Sequence, residues 1–146
     1  LTAQEANRVR EASDIAQATE FVSKMPKGFQ SPIAQGGTNV SGGQKQRLSI
    51  ARAVYRDPEI LIFDDSFSAL DFKTDREVRD ALKETAKDAT KLIVAQRVGT
   101  IMDADCILVL EDGKVVGQGT HRELLETCEV YQEIAKSQLS EEELSA

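Results

Sequence analysis

Ile60-Leu61-Ile62-Phe63 is four apolar residues without alternation, and it runs straight into two acids, Asp64 and Asp65. A strand with one wet face alternates, so an unbroken β-branched and aromatic run predicts a strand covered on both faces. Leu92-Ile93-Val94-Ala95 and Ile107-Leu108-Val109-Leu110 repeat the pattern, the former ending at Gln96-Arg97. Helical periodicities separate these runs. Strands alternating with helices predict an α/β fold around a mostly parallel sheet, in which ligands gather at the carboxyl ends of the strands. Asp64, Asp65 and Gln96 all stand at such ends.

The intervening segments carry start and stop signals. Thr2-Ala3-Gln4-Glu5 has the form of a capping box, and Ser13 reads as a second cap, opening a helix with Ile15, Ala18, Val22 and Met25 on one face. A glycine-bearing loop from Phe29 to Val40 precedes a helix of about 14 residues that opens at Ser41 and stops before Asp57-Pro58. Asp71 is placed to cap a helix over 72–86 with Val78, Ala81 and Leu82 inward. Asp112-Gly113 predicts a hairpin that returns Lys114 to Gln118 antiparallel to the third strand. Thr120-His121-Arg122-Glu123 is a further capping box before two closing helices, and the acidic end from Ser140 is expected to fray.

Composition excludes several classes. With 40% hydrophobic and 29% charged residues in 146, the chain is neither fibrous nor disordered. A formal charge of -7 without a Lys/Arg stripe argues against nucleic acid as a partner. The apolar runs fall far short of the ~20 residues that cross a bilayer. Cys106 and Cys128 lack CxxC or ligand-spaced neighbours, so both read as reduced structural thiols in a cytosolic setting. The first residue is Leu1, which suggests that residues once preceded it. His121 and the tyrosines Tyr55 and Tyr131 read as structural.

Two segments carry chemistry. Ser41-Gly42-Gly43-Gln44 is a capping box, but that explains only the Ser and the Gln. The glycines cost about 1 kcal/mol each against Ala inside a helix. At a helix start they leave backbone N–H groups uncovered, so an anion can approach the positive end of the dipole. Asp64-Asp65, adjacent carboxylates closing a strand, suit one acid on Mg²⁺ and the next addressing a water.

These segments resemble the nucleotide-binding domain of ATP-binding cassette (ABC) transporters of the exporter type. Val40-Ser41-Gly42-Gly43-Gln44-Lys45-Gln46-Arg47 is similar to the family's signature, Ile60 to Asp65 to its Walker B strand, and Ser68-Ala69-Leu70-Asp71 to its D-loop. Ile93 to Arg97 resembles the switch strand, and Gly117 to Leu125 the segment after the last strand. The resemblance implies a helical subdomain with the signature helix over 1–56 and the C-terminal part of a RecA-like, P-loop NTPase core over 57–146. It implies ATP and Mg²⁺ as cofactors, with Asp64 on the metal. Ser41, Gly42, Gly43 and Gln44 would meet the γ-phosphate of ATP held by a second nucleotide-binding domain, and Ser68 and Asp71 would pass information between the two sites. Transmembrane domains complete the partners, which places the chain on the cytoplasmic face of a membrane.

The departures are informative. No G-x-x-x-x-G-K-[ST] occurs in the 146 residues, so the phosphate-loop strand is missing from the expected sheet, where the resemblance puts it between the switch strand and the strand ending at Leu110. Asp65 stands where active members carry Glu, and Gln96 where they carry His. The pair implies a degenerate catalytic site, as in heterodimeric exporters. Gln35 replaces the usual Glu before the signature. Two other functions are weighed: a non-hydrolytic, nucleotide-gated dimerisation module, and the C-terminal lobe of an SMC-type ATPase. The SMC lobe is disfavoured because the first 40 residues carry no sustained heptads.

Overall fold

The computed structural model describes residues 1–145, which form two compact units, one of residues 1–94 and one from residue 95 onward. The first unit opens with α1 (Ala3–Ile15), capped by Thr2 in a reciprocal box with Glu5. Ser13 does not start a new helix. It lies inside α1, buried, with its hydroxyl donating to the Val9 carbonyl at 2.7 Å, the back-bonding that lets Ser sit within a helix. The break comes at Gln17, whose φ is 55°, before the short α2 (Thr19–Ser23). Two 3₁₀ turns, Gly28–Gln30 and Gln35–Gly37, fill the glycine-bearing loop. Asn39 pins it, accepting from Ala34 N–H at 2.9 Å and donating to the Pro32 carbonyl at 3.0 Å.

The helix α3 (Gly42–Tyr55) follows, then β1 (Ile60–Asp64), α4 (Phe72–Thr85) and β2 (Thr90–Val94). The strands β1 and β2 pair parallel in register from Ile60↔Thr90 to Asp64↔Val94. Leu61, Phe63, Phe67, Leu70, Val78 and Leu82 form the core with Ile50 and Ala51 of α3 and with Ala16, Ala18 and Val22. Within α4, Asp75 and Arg79 form an ion pair at 2.7 Å with both side chains largely buried. The boundary expected at 56/57 falls between α3 and β1, inside this unit.

β1 and β2 are not covered on both faces. Leu61 and Phe63 are 3% and 2% exposed, while Ile60, Ile62, Leu92 and Val94 keep 52–65% of their surface. An unbroken apolar run records that a strand is built for cover on both faces; here one layer is present.

The second unit contains α5 (Val98–Ile101), β3 (Ile107–Glu111), β4 (Lys114–Gly119), α6 (His121–Thr127), α7 (Glu129–Gln138) and α8 (Glu141–Ser145). β3 and β4 pair antiparallel through Asp112-Gly113, both at positive φ (48° and 74°), the type I′ geometry that matches strand twist. The mostly parallel sheet expected is thus one parallel pair and one antiparallel hairpin, two separate two-stranded sheets. β3 also alternates rather than being covered twice, with Ile107 and Val109 buried and Leu108 and Leu110 exposed. Val98, Ile107, Val109, Leu124, Cys128, Tyr131 and Ala135 make the core. Cys128 is buried as expected, while Cys106 lies just ahead of β3 and is exposed, not part of the strand. Ser140 caps α8 in a box with Glu143, so the acidic segment has a helical turn available to it, and the end of the segment expected to fray lies outside the described residues.

Candidate functional site

Helix α3 begins as its sequence dictates. Ser41 Oγ accepts from Gln44 N–H at 3.2 Å, and Gln44 Oε1 accepts from Ser41 N–H at 3.0 Å. Lys45 N–H bonds the Ser41 carbonyl at 2.9 Å. The remaining donors of the first turn are the N–H groups of Gly42 and Gly43, and no acid lies in that turn to compete for them. Ser41 keeps its hydroxyl proton to donate, and Gln44 keeps its Nε2. The end of α3 is therefore a cluster of donors at the positive pole of a four-turn helix, exposed at Ser41 and Gly42.

Gly43 has a second reason to be glycine. A Cβ there would stand 2.9 Å from the Ala69 carbonyl oxygen, so the helix start packs against the backbone after β1. That backbone turns sharply. Asp64 is the last residue of the strand, and Asp65 has φ 49°, left-handed for a non-glycine. The alternation of side chains that would aim Asp64 and Asp65 at opposite faces therefore ends at Asp64. Asp65 N–H still donates to the Val94 carbonyl at 3.0 Å, extending the ladder by one bond. Both carboxylates are exposed.

The segment after them is held from α3. Gln46 Nε2 donates to the Asp65 carbonyl and to Ser68 Oγ, each at 3.0 Å, and Gln46 Oε1 accepts from Ala69 N–H at 2.9 Å. Ser68 Oγ donates back to the Asp65 carbonyl at 3.2 Å. Arg47 donates to the Gln17 carbonyl at 2.8 Å, with its guanidinium 4.7 Å above the Phe21 ring. Neither Gln46 nor Arg47 was singled out beyond its place in the signature, because their partners lie 19 to 30 residues away. Asp71 caps α4: its carboxylate accepts from Thr74 N–H at 2.9 Å and Thr74 Oγ1 at 2.8 Å. Those two bonds hold its carboxyl below the usual range.

Ser41, Gly42, Gly43, Gln44, Asp64, Asp65, Ser68 and Asp71 all belong to the first unit, and the hydrogen bonds above join the helix start to the strand end. Gln96 belongs to the second, where its carbonyl accepts from Gln138 Nε2 at 2.9 Å and Val98 N–H donates to Gln138 Oε1 at 2.8 Å. His121, read from the sequence as structural, has Nδ1 2.7 Å from Tyr131 Oη. Burial and the neighbouring Arg122 lower its pKa. Among the described residues no three His, Cys, Asp or Glu side chains gather to hold a metal by themselves. Two exposed carboxylates at a strand end do fit Mg²⁺, which takes one or two carboxylates and fills its remaining positions with waters and phosphate oxygens.

A donor-rich helix start held against paired acids at a strand end is the arrangement the ABC resemblance implies. Residues 1–68 match the ABC transporter family. An uncharacterised ABC transporter ATP-binding protein of Mycobacterium bovis is 50% identical over 128 residues, covering 88% of this chain and 22% of that protein. This chain belongs to the ABC transporter family. An ATP-dependent lipid A-core flippase of Vibrio vulnificus is 43% identical over 91% of this ABC chain and 23% of its own length. The structure of a bacterial Atm1-family ABC exporter with ATP bound superposes with a TM-score of 0.90 at 34% identity, covering 97% of this chain and 25% of that one. The chain thus spans about a quarter or less of the relatives it matches. No described helix is long and apolar enough to cross a membrane.

Proposed function

We propose that the chain is part of the ATP-binding and hydrolysing domain that powers an exporter, divided into a helical subdomain (1–56) and the C-terminal part of a RecA-like core (57–146). The observation that carries this reading is the Gly42–Gly43 start of α3, with free N–H donors, seated on the backbone that follows Asp64-Asp65. It presents its donors to the γ-phosphate of ATP held by the phosphate loop of a second nucleotide-binding domain. Gly42 and Gly43 offer backbone N–H groups, Ser41 its hydroxyl and Gln44 its Nε2. Such preorganised donors act on charge that develops in phosphoryl transfer. Bound Mg²⁺ would neutralise the phosphate oxygens, with Asp64 as its protein ligand.

The chain's own site is degenerate on this reading. The Asp65 carboxylate is one methylene shorter than a Glu, which takes it out of hydrogen-bond reach of an attacking water. Gln96 donates a hydrogen bond but takes up no proton. The partner domain then belongs to a different subunit, the transmembrane domains belong to the same transporter, and the assembly lies on the cytoplasmic face of a membrane. This stretch alone, with no phosphate loop in its 146 residues, turns over no ATP.

Steady-state ATP hydrolysis by the reconstituted transporter tests the proposal. Ser41→Arg drives a cation against the positive helix end and should nearly abolish turnover. Asp65→Asn should change it only slightly, although loss of a working general base costs roughly 10²–10⁴-fold. Asp65→Glu with Gln96→His should add a second active site. The 146-residue chain in the same assay should be silent. If Asp65→Asn matches Ser41→Arg in damage, the site is catalytic and the asymmetric reading fails.

A further inference from the structure

We infer that Gln46 is a positioning residue, a carboxamide that locks the phosphate-facing start of α3 to the backbone after Asp64-Asp65 so that the two ends move as one piece. This rests on the reading that both ends face nucleotide. The geometry leaves one orientation for the amide. The Asp65 carbonyl only accepts and the Ala69 N–H only donates, so Nε2 must face the first and Oε1 the second. Ser68 Oγ spends its proton on the same Asp65 carbonyl and receives the second Nε2 hydrogen. Three bonds thus tie both ends of the 65–69 turn to a single side chain.

The same peptide region is held a second way. Three residues before Gln46, on the same helix face, Gly43 lets the helix approach until any Cβ would lie 2.9 Å from the Ala69 carbonyl. Ala69 is gripped at its N–H by Gln46 and approached at its carbonyl by Gly43. What the clamp secures is a strained point. Asp65 sits at φ 49°, left-handed backbone that carries some strain in a non-glycine and is held here at both its N–H and its carbonyl. Its N–H goes to Val94 and its carbonyl to two donors from Gln46 and Ser68. The Cα–Cβ direction of Asp65 is therefore set through Gln46, whose amide is spent on the 65–69 turn. A residue of the helix that serves one nucleotide thereby fixes the strand end that serves another.

Gln46→Met is the informative change, since it keeps length and volume and removes every hydrogen bond. In the 146-residue chain, Ala69 amide exchange should accelerate about tenfold, the loss of one net hydrogen bond, with the helical circular dichroism unchanged. In the assembled transporter, kcat should fall on the order of 10- to 100-fold, because the start of α3 and its donors shift from their place against the partner's ATP, and not through Asp65. KM for ATP should stay within about threefold, because the phosphate loop that binds ground-state ATP is untouched. Gln46→Glu, which sets a carboxylate oxygen against the Asp65 carbonyl, should lower kcat at least as far. Unchanged Ala69 exchange in Gln46→Met overturns the clamp. Faster exchange with unchanged kcat, or kcat and KM lost in step with thermal stability, overturns the positioning role. Ser41→Arg separates the two ideas: if it leaves turnover intact, the phosphate-facing reading fails, while the Ala69 exchange result still decides the clamp.

Discussion

Two glutamines do similar work in the two units, and the difference between them separates function from architecture. Gln138, at the end of α7, donates to the Gln96 carbonyl and accepts from Val98 N–H, spanning two residues of a turn that leads into α5. Gln46 makes the same pair of bonds across four residues and adds a third to Ser68. The Gln138 clamp closes a turn that has no strained residue of its own, since Arg97 is extended at φ -88°. The Gln46 clamp holds Asp65 in a left-handed conformation and works beside a glycine contact. Strained backbone held by an external side chain marks the place where the helix start and the strand end are kept in fixed register. Relaxed backbone held the same way marks a join between elements.

Four changes would break or sharpen this contrast. The largest effect belongs to the layer beneath the first clamp. Phe63 is 2% exposed and packs 5.2 Å from Phe67, at the root of the 65–69 turn. Phe63→Ala should cost ~3–5 kcal/mol in denaturant unfolding. A loss under about 1 kcal/mol would mean that the turn stands on its hydrogen bonds alone. Gly43→Ala comes next. Its Cβ meets a backbone carbonyl that cannot swing aside, so the helix start must lift from Ala69 at ~1–3 kcal/mol, with faster exchange at the Ala69 amide. Gly117 offers the matching case in the second unit. A Cβ there meets Cys128 Sγ at 2.7 Å, a side chain rather than backbone.

How much of this was legible depends on how far apart the interacting residues lie. The capping boxes at Thr2, Ser41 and Thr120 and the Asp112-Gly113 turn involve partners two or three residues apart, and each forms as its sequence indicates. Ser41 stands at the cap of α3, Asp64 at the end of β1 and Asp71 at the cap of α4, as the local signals indicate, while Gln96 lies two residues beyond the end of β2. Three things were hidden. Ser13 had two local partners open to it, and the Val9 carbonyl won over a new helix start. The apolar runs at 60–63 and 92–94 describe strands fit for two layers without saying which layer these residues supply. Gln46 and Asp65 depend on contacts 19 to 29 residues distant, from Val94 back to Asp65 and from Asp65 back to Gln46. No local pattern encodes those.

The third change tests the relaxed clamp. Gln138→Met should cost about 1 kcal/mol, the net worth of a typical hydrogen bond, read as a small drop in denaturation midpoint with unchanged slope. It should also leave transporter kcat near wild type. A kcat loss as large as that of Gln46→Met would show that the two clamps are functionally equal and would undo the contrast.

The smallest effect is a difference in how the units answer to pH. In the second unit, His121 is the one histidine of the chain, and burial, followed by the positive charge of Arg122, lowers its pKa from 6.5, with Asp103 opposing. The folded form therefore favours the neutral ring that shares a hydrogen bond with Tyr131. The unfolded chain takes up the proton first as pH falls, so the stabilisation from His121 is complete above its ordinary value near 6.5 and drains away as pH drops through the lower folded value. In the first unit the corresponding group is Asp71, lowered from 3.8 by its bonds from Thr74. Its contribution is complete above 3.8 and fades only in more acidic solution, by the same rule for a depressed pKa. Lowering pH from 7.5 toward 5.5 should thus weaken amide protection around α6 and α7 while the α4 start responds only in the carboxylate range. His121→Gln, which has no proton to gain, should abolish the first response. Residue-resolved amide exchange across that range decides it, and protection around α6 and α7 that holds steady in the wild-type chain would remove His121 as the source of any difference between the units.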